Sequence, residues 1–304
     1  MIEFLSGRAQ VLPYIFMKVL IVVNAYIKNA SQLSQAERIA GELSALGAAV
    51  EVKRNFNLAE ISGNRVSAEK YGFCVYLDKD RVAARLLEKS GLRLFNTAAA
   101  IEVCDDKMLT NTALAGLGFN VPDCIYAPLC YNADSIPDSG FLDGVAKRLG
   151  FPLVAKSNYG SLGAGVELVA DKEQLYKYEE RNLLSPHFYQ KLIDCGCGRD
   201  TRVLVIGGRA VCAMDRINES DFRSNIELGG RGEKAELDGV LADMCVGVAN
   251  CLGLDYCGID VLTGKDGARY ICEVNSNAFF AAAERVCGVN VAKAYAQYML
   301  NKMG

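Results

Sequence analysis

Two carboxylates and a carboxamide stand close together near the C-terminus, in the run Asp260-Val-Leu-Thr-Gly-Lys-Asp266-Gly267-Ala-Arg-Tyr-Ile-Cys-Glu273-Val-Asn275. Asp266-Gly267 is a strong signal for a two-residue hairpin turn. Counting outward from it sets Lys265 against Ala268, Leu262 against Ile271 and Asp260 against Glu273. Asn275 lies two residues on and shares their face. Like charges opposed across a hairpin repel unless something compensates them. Oxygen donors of the Asp, Glu and Asn kind suit a hard cation, magnesium or manganese. The competing reading is a solvated sheet face with incidental acids. The flanking strands are strongly apolar, as buried strands are, which favours the cation.

A second group lies upstream. Phe151-Pro-Leu-Val-Ala-Lys156 ends a strand, and Ser157-Asn-Tyr-Gly160-Ser-Leu-Gly163-Ala-Gly165 follows it. Glycines let backbone N–H groups approach phosphate oxygens closely. The lysine precedes the glycines and no Gly-Lys-Ser/Thr opens a helix, so this is not a Walker loop. It reads either as a flap over phosphates or as a long hairpin turn. Lys107 follows Asp106 inside a run read as one helix, Ile101–Leu117, where pattern alone puts it on a solvated face. Asp200 and Arg202 open a hairpin that turns at Gly207-Gly208. A two-residue turn there pairs Arg202 with Ala213 and sends Arg216 to the opposite face, so a bulge or strand-end twist is needed to unite the two arginines. Arg223-Ser224-Asn225 and Gly229-Gly-Arg-Gly232 make a donor-rich loop that pattern alone leaves on the surface. His187 reads as a helix-to-strand linker residue without a role.

The elements that must position these residues begin as alternating strand and helix. Val19–Val23, Val50–Lys53, Phe73–Leu77 and Leu92–Phe95 read as strands, and Ser34–Leu46 and Arg81–Lys89 as helices, which is an open α/β sheet. A polar stretch with two prolines, Pro128–Ser139, reads as a connection. Pro152–Lys156, Val166–Val169 and Tyr189–Ile193 read as strands, with a helix at Lys172–Leu183. Two hairpins, Thr201–Arg216 and Tyr256–Val274, flank a helix at Val240–Leu252, and a helix at Val291–Met303 closes the chain.

Composition narrows the classes. The 304 residues suffice for two or three lobes, and 51% apolar with 23% charged residues is ordinary for a soluble globular chain. A net charge of −3 gives no reason to expect nucleic acid or an anionic membrane as partner. The 12 cysteines lie mostly in apolar runs without zinc spacing, and read as reduced thiols in a cytoplasm. One histidine excludes any chemistry that needs a His pair. Val11–Ile27 is apolar, but Lys18 interrupts it and no cleavage site follows, so it reads as neither signal peptide nor membrane span. Met17 is the expected start of the folded domain, with residues 1–16 an extension.

Taken in order, Asp106-Lys107-Met-Leu-Thr with Val121-Pro122, Pro152–Lys156 with the glycine loop, Gln190–Ile193, Asp200-Thr-Arg202, Arg223–Asn225, Asp260 and Glu273-Val-Asn275 resemble the RimK-type branch of the ATP-grasp superfamily. The resemblance runs from Met17 to the C-terminus. It implies an α/β architecture in which a pre-grasp open sheet (17–97) precedes two α+β lobes (98–186 and 187–304) that clamp ATP. It further implies that Lys107, Lys156, Gly160, Gly163, Gln190, Lys191, Leu192, Ile193, Asp200, Arg223, Ser224 and Asn225 contact ATP. Asp260, Glu273 and Asn275 would hold magnesium or manganese, while Arg202 and Arg216 would orient the carboxylate and stabilise an acyl-phosphate. The implied activity is ATP-dependent joining of a small-molecule or peptide carboxylate to an amine, an amino acid such as glutamate first among them. Whether the chain forms a homo-oligomer stays open. The chain departs from the pattern in two places. Gln190-Lys191-Leu192 lacks the acidic residue common on the adenine strand. Ser276–Phe280 lacks the small-residue-plus-proline continuation, so the acceptor subsite does not carry over. A carboxylase or phosphotransferase on the same fold, and a nucleotide-binding protein without catalysis, remain as rivals. A dinucleotide-binding oxidoreductase ranks low because Asn24–Lys28 lacks the glycine fingerprint.

Overall fold

The computed structural model describes residues 17–304 apart from 29, 57, 63, 64, 69, 70 and 197. The expected extension, 1–16, lies outside the described residues.

The N-terminal part runs β1 (Lys18–Val23), α1 (Ala30–Ala45), β2 (Ala49–Arg54), the strand pair β3 (Ala59–Ser62) and β4 (Arg65–Ala68), β5 (Phe73–Leu77), α2 (Arg81–Lys89) and β6 (Leu94–Phe95). The main sheet has the order β2-β1-β5-β6, and its pairs are parallel. A parallel strand covered on both faces needs a continuous apolar run, and Val19–Val23 supplies one. Its alternation sends Val19, Ile21 and Val23 into a core shared with α1. Leu20 and Val22 point the other way, against Ala84 and Leu87 of α2. The chain passes from β1 to β2 on one side and later to β5 on the other. The crevice outside the carboxyl ends of β1 and β5 is therefore a topological switch point, where open α/β sheets take their ligands.

Next come α3 (Ala98–Asp105), α4 (Lys107–Leu114), β7 (Cys124–Tyr126), α5 (Ser139–Leu149), β8 (Leu153–Ser157), β9 (Val166–Val169), α6 (Lys172–Asn182) and β10 (His187–Lys191). The expected helix Ile101–Leu117 is thus two helices broken at Asp106. This residue is extended (φ −99, ψ 110), and its carboxylate accepts from the Met108 and Leu109 amides. An aspartate competes for N–H groups in this way and starts a helix better than it continues one. The apolar periodicity ran through the break because Ala100 and Cys104 of α3 and Leu114 of α4 bury into one core.

A four-stranded antiparallel sheet, β7-β10-β8-β9, stands apart. Leu142, Val145 and Leu149 of α5 and Leu175 and Tyr178 of α6 cover it with a core of its own. Strand β10 pairs with β7 and β8, so sheet membership changes between Lys191 and Gly198 and not at 186/187. The strand also starts two residues before the expected Tyr189, which leaves Leu192 and Ile193 beyond its end.

The last part runs β11 (Gly198–Ile206), β12 (Arg209–Asn218), β13 (Arg231–Lys234), α7 (Gly239–Cys251), β14 (Tyr256–Thr263), β15 (Arg269–Asn275), α8 (Ala281–Cys287) and α9 (Val291–Met303). Its sheet, β13-β12-β11-β14-β15, is antiparallel. One face packs on α7. From the other, Leu204 and Tyr256 join α9 and the N-terminal sheet in a single core. No helix among the described residues is long and apolar enough to cross a membrane.

Candidate active site

Asp260 and Glu273 are cross-strand partners, but the route to that pairing differs from the sequence count. The turn is longer: Gly264 donates to the Ala268 carbonyl at 2.9 Å, so Leu262 faces Tyr270 and Val261 faces Ile271. A bulge at Cys272 then restores the register between Val261 and Asp260. Two departures of one residue cancel at the acids. In the other hairpin the bulge lies at Val211, so Arg202 faces Met214 and not Ala213, and Arg216 faces Asp200. Both arginines thereby reach one face, over Asp260.

There they form a buried chain of charge. Arg202 donates to Asp260 through Nε (2.7 Å) and Nη2 (2.8 Å). Arg216 Nη2 lies 2.8 Å from Asp260 Oδ2. Arg216 also forks onto Asp200, with Nε to Oδ1 at 2.7 Å and a second bond from Nη2. Ser224 Oγ donates to Asp200 Oδ2 at 2.6 Å. Burial pushes the Asp260 carboxyl up, but the charges of Arg202 and Arg216 outweigh it and hold the group below its ordinary range. Two guanidinium groups balance two carboxylates, which is the condition for keeping such charges out of water.

Opposite this sheet stand two lysines. Lys107, in the first turn of α4, is partly buried and donates to the Gly160 carbonyl at 2.8 Å. Its Nζ lies 3.7 Å from Glu273 Oε1. Burial lowers its pKa first, the Glu273 charge resists, and Lys79 and Lys156 lower it further. Asp106 caps α4 and turns Lys107 inward, which corrects the expected solvated position. Lys156, on β8, is buried with Nζ 3.7 Å from Cys272 Sγ and makes no ion pair among the described residues.

The glycine loop crosses above. Gly160, Gly163 and Gly165 have φ of 126°, 78° and 70°, a region that side chains disfavour. The Gly163 carbonyl accepts from Arg223 Nη1 at 3.1 Å, and a Cβ at Gly163 would stand 3.2 Å from Asn225 Oδ1. The flap is therefore seated on the Arg223–Asn225 loop, which the sequence pattern alone left on the surface. Asp221, not singled out from sequence, orients Arg223 at 2.7 Å.

A cavity of about 800 Å³ runs between the two sheets. All the candidate residues line it except Arg202 and Asn275: Lys107, Lys156, Gly160, Gly163, Gln190, Lys191, Leu192, Ile193, Asp200, Arg216, Arg223, Ser224, Asn225, Asp260 and Glu273. Val154 and Leu262 add apolar surface. Arg202 and Asn275 line a neighbouring cavity of about 430 Å³, with Glu273, Asn225 and Ser161 common to both. Its other wall is the switch point, Asn24–Lys28 and Leu77–Lys79. That wall was missed from sequence, because its signal is strand order and a sequence displays no strand order.

Three oxygen-bearing groups fit a hard cation. Glu273 makes its one ion pair among the described residues with Lys107. Asn275 carries a buried amide nitrogen with no hydrogen-bond partner, and a half-turn of the carboxamide would present its oxygen there instead. Asp260 receives three arginine bonds, which leaves about one of its four acceptor positions, on Oδ1. Among the described residues no cluster of three His, Cys, Asp or Glu exists, so the protein offers two carboxylates and the Asn275 carboxamide, a donor set of the size magnesium takes beside phosphates and water.

Fold and site together define an ATP-grasp protein. A family model described as a RimK-like ATP-grasp domain matches residues 104–299, and the chain belongs to that family. It is 35% identical over 234 residues to β-citrylglutamate synthase B of Danio rerio, covering 75% of this chain and 55% of that one. It is 34% identical over 231 residues to N-acetylaspartylglutamate synthase A of Homo sapiens, covering 75% and 57%. The chain thus spans little more than half the length of these relatives. A RimK domain ATP-grasp protein from Sphaerobacter thermophilus has the same fold, with a TM-score of 0.71 at 20% identity, over 92% of this chain and 98% of that one.

Proposed function

We propose that the chain is an ATP-dependent ligase that activates a carboxylate as an acyl-phosphate and joins it to an amine, glutamate being the first candidate. The observation that carries this is the meeting of two cavities at Glu273 and Asn225. One has a buried lysine, Lys156, a partly buried one, Lys107, and a glycine flap suited to a nucleotide's phosphates. The other opens on the switch point of the N-terminal sheet and suits the acid. The γ-phosphoryl group would sit where they join. Both relatives are named as synthases of a glutamate conjugate, which supports glutamate as the amine.

In this reading Lys107 and Lys156 hold phosphate oxygens, and the flap's N–H groups and Arg223 close over them. Gln190–Ile193 line the adenine. Arg202 and Arg216, braced by Asp200 and Ser224, present positive charge to the reacting carboxylate and to the acyl-phosphate. Glu273 and Asn275, with the remaining position on Asp260, would hold magnesium or manganese, which supplies charge neutralisation at the phosphates. A carboxylate oxygen takes the γ-phosphoryl group and ADP leaves. The amine nitrogen then attacks the acyl carbon, phosphate departs and the amine gives up a proton. Seating the flap on Arg223–Asn225 excludes water from that intermediate. The free thiols of the described cysteines, five of eleven buried and only Cys251 exposed, support a reducing cytoplasm.

The test is product formation from purified protein with ATP and magnesium. ADP and phosphate that form only when an acid and an amine are both supplied support the ligase. ADP that forms with an acid alone, and without amide, favours a phosphotransferase.

A further inference from the structure

The loop after β1 forms one wall of the second cavity and is stapled in place. Asn24 Nδ2 donates to both oxygens of Asp78 at 3.2 Å, and Asn55 Nδ2 donates to Asp78 at 2.6 Å. The Ala25 amide donates to Asn55 Oδ1 at 2.7 Å and the Tyr26 amide to Asn24 Oδ1 at 2.8 Å. Arg54 Nη1 donates to the Ala25 carbonyl at 2.7 Å. The carboxyl ends of β1, β2 and β5 are thereby tied to one another. A loop ordered before any ligand arrives presents its side chains without a further ordering cost.

The charges in this cavity are unevenly satisfied. Its cations are Lys28, Lys79 and Arg202, and its anions Asp78 and Glu273. Lys79 pairs with Asp105 at 3.0 Å, and Arg202 with Asp260. Asp78 is filled by the staple and by the Lys79 amide at 2.8 Å. Glu273 faces Lys107. Lys28 is exposed and makes no ion pair among the described residues. It stands on the N-terminal wall, whereas Arg202 and Glu273 come from the C-terminal sheet.

We propose that Lys28 binds a second, non-reacting anionic group of the acid substrate, so that this site selects dicarboxylates over monocarboxylates. This rests on the ligase reading: the reacting carboxylate lies toward Arg202 and Glu273, and the far one reaches the stapled loop. A compact ammonium two residues beyond the stapled Asn24–Tyr26 backbone discriminates in this way, because an acid lacking the far group leaves a charge-assisted bond unmade.

The test is isothermal titration of the full chain, loaded with AMPPNP and magnesium, with glutarate and with pentanoate, which differ by one carboxylate at equal chain length. Glutarate is expected to bind at least about tenfold more tightly. Lys28→Met should bring glutarate to the pentanoate level, while Lys28→Arg keeps the difference. Equal binding of the two acids, binding of neither, or a preference unchanged in Lys28→Met overturns the inference and leaves the ligase reading standing. Failure of AMPPNP itself to bind contradicts the ligase reading and removes this inference with it.

Discussion

Glu273 belongs to both cavities and, among the described residues, makes one ion pair, with Lys107. Glu273→Gln keeps its shape and removes its charge. The expected outcome is a fall in turnover of order a hundredfold, a shifted magnesium requirement and a nearly unchanged Tm, since its side chain is 27% exposed. Unchanged magnesium dependence and rate would remove Glu273 from the cation site. Lys156 pairs with no carboxylate among the described residues, so its charge is available to a phosphate. Lys156→Ala should weaken ATP binding by about 10- to 100-fold, the worth of a charge-assisted hydrogen bond. Titration with unchanged affinity would contradict that role. The Asp260–Glu273 pairing was legible in sequence only because a longer turn and a bulge cancel. The inward position of Lys107, which the resemblance implied, was not legible in the helical pattern, since apolar spacing cannot report a break whose two sides bury into the same core.

The flap and the strand beneath it set the next scale. Gly163 has φ 78°, and a Cβ there would meet Leu228 Cδ1 at 3.0 Å. Gly163→Ala should strain the seated flap by about 1–2 kcal/mol and raise the KM for ATP more than it lowers the Tm. An unaltered KM would mean that the flap does not close on the nucleotide as it does on Arg223–Asn225. Strand β10 carries His187, which the sequence reading left without a role and which proves structural. Its Nε2 lies 2.8 Å from Glu179 and its Nδ1 2.8 Å from the Ser185 carbonyl. Both ring nitrogens face acceptors, so the protonated ring fits best. Burial opposes that charge, but the Glu179 and Ser185 bonds outweigh it and raise the pKa. For Glu179, burial raises the pKa, but the bonds from His187 and Tyr189 prevail and leave it lowered. A raised histidine stabilises fully below its unfolded value and loses that stability as pH rises through its folded value. A lowered glutamate stabilises above its unfolded value and loses it as pH falls. The Tm difference between wild type and Glu179→Gln should therefore be largest between about pH 4.3 and 6.5 and shrink on both sides. A flat difference across that range would show that the pair is not charged.

Across the whole molecule, three bodies of structure reduce to two packing units. The N-terminal sheet and the C-terminal sheet share one core, whereas the β7–β10 sheet with α5 and α6 has another. The larger cavity lies between these units, which is where a clamp must open to admit ATP and close to exclude water. The parallel sheet, the order of the hairpins and the terminal helix were legible, because buried strands and helices carry their periodicity in the chain. The switch-point wall, the stapled loop and the bulges that unite Arg202 with Arg216 were not, since each depends on strand order or on a one-residue slip. An acyl-phosphate made in this clamp would be captured by hydroxylamine before any amine substrate is known. The purified chain is incubated with ATP, magnesium, hydroxylamine and a pool of small carboxylic acids. An acyl hydroxamate formed in equal amount with ADP is the predicted result. Hydroxamate accompanied by AMP and pyrophosphate, or ATP turnover to ADP without hydroxamate from any acid, would contradict it.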